Sequence, residues 1–254
     1  MCLIVFAYQT ENYPFLLAGN RDEFYSRPTR KAQYWDHYPD LLAGKDLKAG
    51  GTWMGVTKNG KFAALTNYRD IKFIKENAPS RGHIVKDFLI SDAAPEDYLS
   101  SLNQDAEKYN GFNLIAGTIE ELFYLNNQQN EVKKLEPGFY SISNAFLNTD
   151  WPKTKSALHQ FKETVQPGNF NENNLFDILV DSKTFPQELL PSTGLSEDME
   201  KAVSSIFIQT PDYGTRCSTI VHAKKNGKLS FSERTYKPGS KKVKDTVKFT
   251  LNWK

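Results

Sequence analysis

The chain has 254 residues, enough to bury a substantial core, and its 32 basic and 30 acidic residues give a formal net charge of +2 with no block of one sign. That balance supplies no argument for nucleic acid or an anionic membrane surface as a partner. Two cysteines, Cys2 and Cys217, cannot form a disulfide scaffold, no Cys-x-x-Cys occurs and the four histidines are scattered, so a reducing compartment is expected and a structural metal site is not.

The apolar run 3–8 is too short for a signal peptide and has no basic segment before it. It reads as a first strand, joined by 10–14 to a second at 15–18, which pins the N-terminus inside a sheet. Strands at 53–57 and 61–66 flank Lys58-Asn59-Gly60, where the Asn-Gly pair predicts positive backbone angles and a tight hairpin. Ser80 can cap a helix carrying Ile84, Val85, Phe88 and Leu89. Strand pairs are predicted at 113–118 with 122–125, and at 132–135 with 139–143 around Glu136-Pro137-Gly138. Asp150 precedes Trp151-Pro152, a helix start with proline where its missing N–H costs little, and Ala157, Leu158, Phe161 and Val165 then form an apolar stripe. A third helix spans 171–181 with Leu175, Ile178 and Leu179. The chain closes with strands at 218–224 and 228–235 around Asn226-Gly227, then 247–251. No linker or repeat divides this order, so one domain over 1–254 is expected, and short hairpin links predict an α+β fold with antiparallel sheets covered by helices. No stretch approaches the roughly 20 apolar residues of a membrane span. A cytoplasmic location is therefore expected.

Chemistry is concentrated at position two. A small residue after the initiator methionine favours removal of Met1, which would leave Cys2 carrying both a thiol and the α-amine. An α-amine has an ordinary pKa of about 7.7–8.0 and a thiol about 8.5, so the amine can accept the thiol proton near neutrality. Nucleophile and base then belong to one residue, as in N-terminal-nucleophile enzymes. The strand that follows would hold that amine in fixed geometry. Donors for an oxyanion are sought at strand ends: Asn20-Arg21-Asp22-Glu23 after the second strand, Asn67-Tyr68-Arg69 after 61–66, and Ser143-Asn144 after 139–143. Each asparagine also suits a turn.

The segments LLAGNRDEFYSRP (16–28), LLAGKDLKAGGTWMGVTKNGKFAALTNYRD (41–70), SRGHIVKDFL (80–89), SISNAFLNTDWPK (141–153) and YGTRCSTIV (213–221) resemble the NRDE family, named for the tetrapeptide at 20–23 and including the transport and Golgi organisation 2 proteins of eukaryotes. The blocks run in order from Cys2 to about Glu233, with none recognised at 169–199. The resemblance implies a branch of the Ntn-hydrolase superfamily: a four-layer αββα sandwich with the nucleophile on the first strand. Its relatives, the cholylglycine hydrolases and penicillin V acylases, cleave amide bonds through an acyl-enzyme. The resemblance further implies Cys2 as nucleophile, Asp22 as the carboxylate holding the α-amine, Asn67 and Asn144 near the oxyanion hole, and Arg216 as a late arginine. The relatives' early arginine lies further upstream of the aspartate than Arg21 does. Eukaryotic members have also been linked to haem and to lipid or acyl-CoA handling, so a non-catalytic binding or trafficking protein on the same fold is the alternative.

Around that core, Arg21, Arg69, Arg81 and Arg216 can bind a substrate carboxylate or phosphate, or some of them can buttress Asp22 and Glu23. Trp53, Phe62 and Tyr68 are candidates to line an apolar acyl pocket, with simple core packing as the alternative. Cys217, without an adjacent base, reads as a buried small residue, and His83 as a surface or capping residue unless it meets a haem iron or an anion. The expected activity is cleavage of a non-peptide amide or a thioester on a small molecule carrying an acyl group. No cofactor, metal, nucleic acid or membrane span is expected, and the oligomeric state is left open.

Overall fold

The computed structural model describes residues 2–71 and 74–253. Two antiparallel sheets stack face to face. The first has strand order β10-β1-β2-β11-β12-β13, built from β1 (Cys2–Tyr8), β2 (Phe15–Phe24), β10 (Gly138–Ile142), β11 (Tyr213–Ala223), β12 (Lys228–Tyr236) and β13 (Val243–Asn252). The second runs β3-β4-β5-β6-β7-β8-β9, from β3 (Thr29–Trp35), β4 (Tyr38–Asp46), β5 (Met54–Thr57), β6 (Phe62–Asn67), β7 (Phe112–Gly117), β8 (Leu122–Asn126) and β9 (Glu131–Lys134).

Strand alternation sorts the apolar residues into three layers. Ile4, Phe6, Phe15, Leu17, Val221 and Phe231 of the first sheet meet Leu42, Val56, Phe62 and Ile115 of the second between the sheets. The opposite faces of the same strands turn outward. Leu3, Val5, Leu16 and Ala18 pack on α3 (Pro152–Val165) and α4 (Glu172–Leu179) through Ala157, Phe161 and Leu175. On the far side, Ile84, Val85 and Phe88 of α1 (Arg81–Ile90) and Leu99 of α2 (Pro95–Gln104) cover Leu41, Ala43 and Leu114. The result is helix, sheet, sheet, helix, the α+β sandwich anticipated from the sequence. No helix is long and apolar enough to cross a membrane among the described residues.

Several local expectations are corrected. The segments 132–135 and 139–143 do not form a hairpin with each other: β9 pairs with β8 in one sheet and β10 with β1 in the other, so the Pro-Gly link crosses between layers. At the β5–β6 turn only Gly60 is left-handed, at φ +88°, while Asn59 is not. Ser80 precedes α1 with extended backbone and makes no side-chain cap. Phe62 packs on Phe15 in the inter-sheet core, centroids 4.8 Å apart, and lines no acyl pocket. β3, β4, α2 and a short α5 (Glu197–Ala202) occupy segments given no element in the sequence reading. In α2 only Pro95 and Leu99 are buried, too sparse a pattern to signal a helix.

Candidate active site

The inter-sheet layer changes character at one end. Cys2 continues the Ile4–Phe6–Tyr8 face of β1, Arg21 the Phe15–Leu17 face of β2, Cys217 the Val221 face of β11, and Glu233 the Leu229–Phe231 face of β12. Where the apolar alternation runs out, these four residues line a cleft of about 790 Å³ together with Arg81 and Arg216. Trp53 and Asn67 reach it from the second sheet.

The tetrapeptide at 20–23 lies inside β2, not in a loop after it, because the strand runs on to Phe24. Alternation therefore splits it. Asn20 faces the helix layer, and Asp22, on the same alternation, is buried where it still forms part of the cleft lining. Asn20 Nδ2 donates to the carbonyls of Leu179 at 2.8 Å and Ile206 at 2.9 Å, and its Oδ1 accepts from Ser218 Oγ at 2.6 Å, so this asparagine ties β2 to neighbouring chain segments. Arg21 and Glu23 face the cleft as an ion pair at 3.5 Å, and Glu23 also lies 3.7 Å from Arg27, which holds Asp46 at 2.6 Å. Arg21 thus buttresses Glu23.

Cys2 pairs with Arg21 across the first two strands and is 7% exposed. Burial pushes its thiol pKa up and the charge of Asp22 adds to that, while the Asp22 backbone N–H and Arg21 oppose it. Asp22 is 3% exposed. Its Oδ1 accepts from Thr215 Oγ1 at 2.7 Å and its carbonyl from Tyr213 Oη at 3.0 Å. Burial raises the carboxyl pKa, against the pull of Lys153, the Thr215 hydroxyl and Arg21. Met1 and its expected removal lie outside the described residues.

The two asparagines separate. Asn67, the last residue of β6, lines the cleft. Asn144 is fully buried behind it: its Nδ2 donates to the Asn67 carbonyl at 2.8 Å, and its carbonyl accepts the Arg69 N–H at 2.8 Å. Ser143 Oγ bridges the neighbourhood, 2.8 Å from the Cys2 carbonyl and 3.1 Å from Asn144 Oδ1.

The arginines separate as well. Arg216 donates to the carbonyls of Phe24, Tyr25 and Arg27 and to Thr29 Oγ1, stapling the bend that leaves β2. It lies within β11, which begins at Tyr213 rather than at 218. Arg81 donates to the Gly111 carbonyl at 2.6 Å and sits close enough to feel the Cys2 thiol. Arg69 turns away to Glu200 at 3.0 Å and stacks over Trp151 at 4.7 Å. With Tyr68, whose ring packs on Phe146, it lines a second pocket of about 210 Å³ that shares Asn67 and Arg81 with the cleft. His83 spends Nε2 on the Ala49 carbonyl, 2.6 Å away.

Three buried residues escaped the sequence reading. Glu233 accepts the Ala32 N–H at 2.8 Å beside the Cys217 thiol, Glu200 pairs with Arg69, and Lys153 lies in the first turn of α3 near Asp22. Glu233 was traceable by continuing the Leu229–Phe231 alternation. Nothing in the local sequence marks the other two as partners.

The chain matches the family described as Transport and Golgi organisation 2 over residues 1–238. It is 35% identical over 257 residues to the Transport and Golgi organization protein 2 homolog of Bos taurus, covering 92% of this chain and 93% of that one. It is 34% identical over 275 residues to the Mus musculus homolog, covering 99% of each. Among solved structures it is similar to the Caenorhabditis elegans ortholog of N-acylethanolamine-hydrolyzing acid amidase, with TM-score 0.50, 12% identity and coverage of 87% of this chain and 92% of that one. It is also similar to a mutant conjugated bile acid hydrolase from Clostridium perfringens, with TM-score 0.53, 10% identity and coverage of 98% and 92%. Both neighbours are Ntn-hydrolases, and at these identities the likeness establishes the fold.

Proposed function

The chain belongs to the Transport and Golgi organisation 2 family, and on that premise we propose that it is an N-terminal-nucleophile hydrolase whose Cys2 cleaves an amide or thioester of a small acyl compound. The observation that carries this reading is Cys2 at the head of β1, facing the inter-sheet cleft, with the buried Asp22 on the adjoining strand. With Met1 removed, the α-amine takes the thiol proton and the sulfur attacks the substrate carbonyl. The tetrahedral oxyanion is met by the Asn67 side chain, worth about 3–4 kcal/mol for a well-aimed donor. Asn144 fixes Asn67 through its backbone carbonyl, and Arg81 adds positive charge across the cleft. Collapse expels the amine or thiol, which takes the proton back from the α-ammonium. Water, deprotonated by the same amine, then breaks the acyl-cysteine thioester to give a carboxylic acid and the free thiol.

The test is a panel of amide and thioester substrates assayed with the wild type and with Cys2→Ala, alongside thermal melting of both. Turnover confined to the wild type, with a mass increment equal to the acyl group on the Cys2 peptide, is the expected result. Undiminished turnover in Cys2→Ala would overturn the reading. So would a cellular activity fully retained by a folded Cys2→Ser protein, which would favour a haem- or lipid-binding protein on this fold.

A further inference from the structure

Behind the strand that carries Asp22 lies a second set of charges. Lys153 is 2% exposed, and its Nζ donates to the Val203 carbonyl at 2.9 Å. An ammonium taken this far from water is costly unless nearby negative charge compensates it. Two acids are near. Glu200 is engaged with Arg69 and accepts the Thr193 N–H. Asp22 is the larger influence on Lys153, and Lys153 is the strongest side-chain cation acting on Asp22.

Asp22 lines the cleft that Cys2 faces, whereas Lys153, in the first turn of α3, lies outside that lining and near enough to Asp22 for each charge to act on the other. Asp22 is surrounded by Lys153 of α3, Arg21 of its own strand, Cys2 of β1, and Tyr213 and Thr215 of β11, while Lys153 also feels Arg69, Glu200 and Cys2. A buried carboxylate without a fixed countercharge would stabilise an adjacent α-ammonium strongly, and a protonated amine is no base. We propose that Lys153 is a positioning residue for the Cys2 nucleophile: its charge, fixed behind Asp22, balances the carboxylate, so that Asp22 anchors the α-amine without locking it in the protonated form. The step it serves is one proton transfer, in which the S–H bond breaks, an N–H bond forms, and no other reactant enters. The inference rests on the hydrolase reading above.

Removing a cation lets every nearby titrating group keep its proton to higher pH. The experiment follows the rate of Cys2 alkylation by iodoacetamide against pH, by peptide mass, with Cys217 as internal reference and the terminus defined by intact mass. Lys153→Gln keeps a donor for the Val203 carbonyl, Lys153→Met removes donor and charge, and Lys153→Arg keeps the charge. In Lys153→Gln the ascending limb should move up by about one pH unit, roughly tenfold slower alkylation on its acid side. Lys153→Arg should restore the wild-type limb. An unmoved limb in folded Lys153→Gln, or an equal displacement in Lys153→Arg, overturns the proposal. If Lys153→Met does not fold, the glutamine and arginine variants decide the matter. Wild-type Cys2 reacting no faster than Cys217 at any pH overturns the hydrolase reading and this inference with it, whereas a fast Cys2 indifferent to Lys153→Gln overturns this inference alone.

Discussion

Cys2 and Cys217 point to the same side of one sheet, each in register with Arg21 from opposite sides, so the strand β2 stands between them. Two strand spacings place their Cα atoms roughly 10 Å apart, beyond the ~7 Å that a disulfide can span. The two thiols differ in surroundings. Burial raises both and Arg21 opposes this at both, but Cys217 is pushed well up with the Glu233 carboxylate adding to burial, whereas at Cys2 the Asp22 N–H offsets the push of the Asp22 charge. An alkylating reagent should therefore label Cys2 first, and mild oxidation should leave both free. Equal labelling, or an intramolecular disulfide seen by mass spectrometry, would contradict this geometry.

Glu233→Gln tests the same neighbourhood from the other side. Burial raises the Glu233 pKa above its ordinary 4.5, so the folded protein holds a proton that the unfolded chain has lost, and stability declines as pH rises through that interval. The glutamine variant should lack this decline in urea titrations run from pH 4 upward. Loss of the negative charge should also speed Cys217 alkylation, by roughly tenfold.

Lys153 gives the opposite slope at high pH. Burial lowers its pKa from 10.5 to about 8, with Asp22 pulling the other way. Between those values the unfolded chain binds a proton that the folded chain has released, so unfolding free energy should rise with pH across that window. The buried Cys2 and Cys217 thiols, raised above their ordinary 9.0, counteract it from about pH 9, and Tyr124 and Tyr236, pushed up to about 12 mainly by burial, do so above pH 10. Denaturant melts at pH 8 and pH 9 should show the rise in the wild type and its absence in Lys153→Met.

Arg216→Ala should cost about 3 kcal/mol, because it removes charge-assisted bonds to three backbone carbonyls that hold the bend after β2. Arg216→Lys should recover only part of this, since a single ammonium can take the place of Nη1 among the carbonyls but cannot also reach Thr29 Oγ1 as Nη2 does. Urea melts measure both. A negligible loss in the alanine variant would mean that the bend is held by other contacts.

Gly51→Ala addresses how α1 is seated. A Cβ at position 51 would lie 2.4 Å from the Gly82 carbonyl carbon, a backbone atom in the first turn of the helix that starts at Arg81. That turn must shift, at about 2 kcal/mol by the usual cost of overpacking, and Arg81 moves with it. Lower thermal stability together with slower Cys2 alkylation is expected. Unchanged values in both would show that the contact between 51 and 82 has slack.

The apolar runs and their short hairpin links were legible from the residues alone: they put Cys2 at the head of a strand and foretold antiparallel sheets covered by helices, while the four-layer sandwich came from the family resemblance. The family blocks marked Asp22 and Asn67, and both line the same cleft as Cys2. What one strand's pattern cannot encode is which strand lies beside it. The strands at 132–135 and 139–143 are adjacent in the chain yet belong to different sheets, because hairpin signals report only local turn geometry. The same limit hid Lys153, Glu200 and Glu233, whose partners Val203, Arg69 and Ala32 are 50 to 201 residues away, and it hid the division of the arginines into Arg21 and Arg69 with acids and Arg81 and Arg216 with carbonyls. Local periodicity fixes which face a side chain takes. The charges gathered on that face depend on long-range packing, which only the assembled sheets supply.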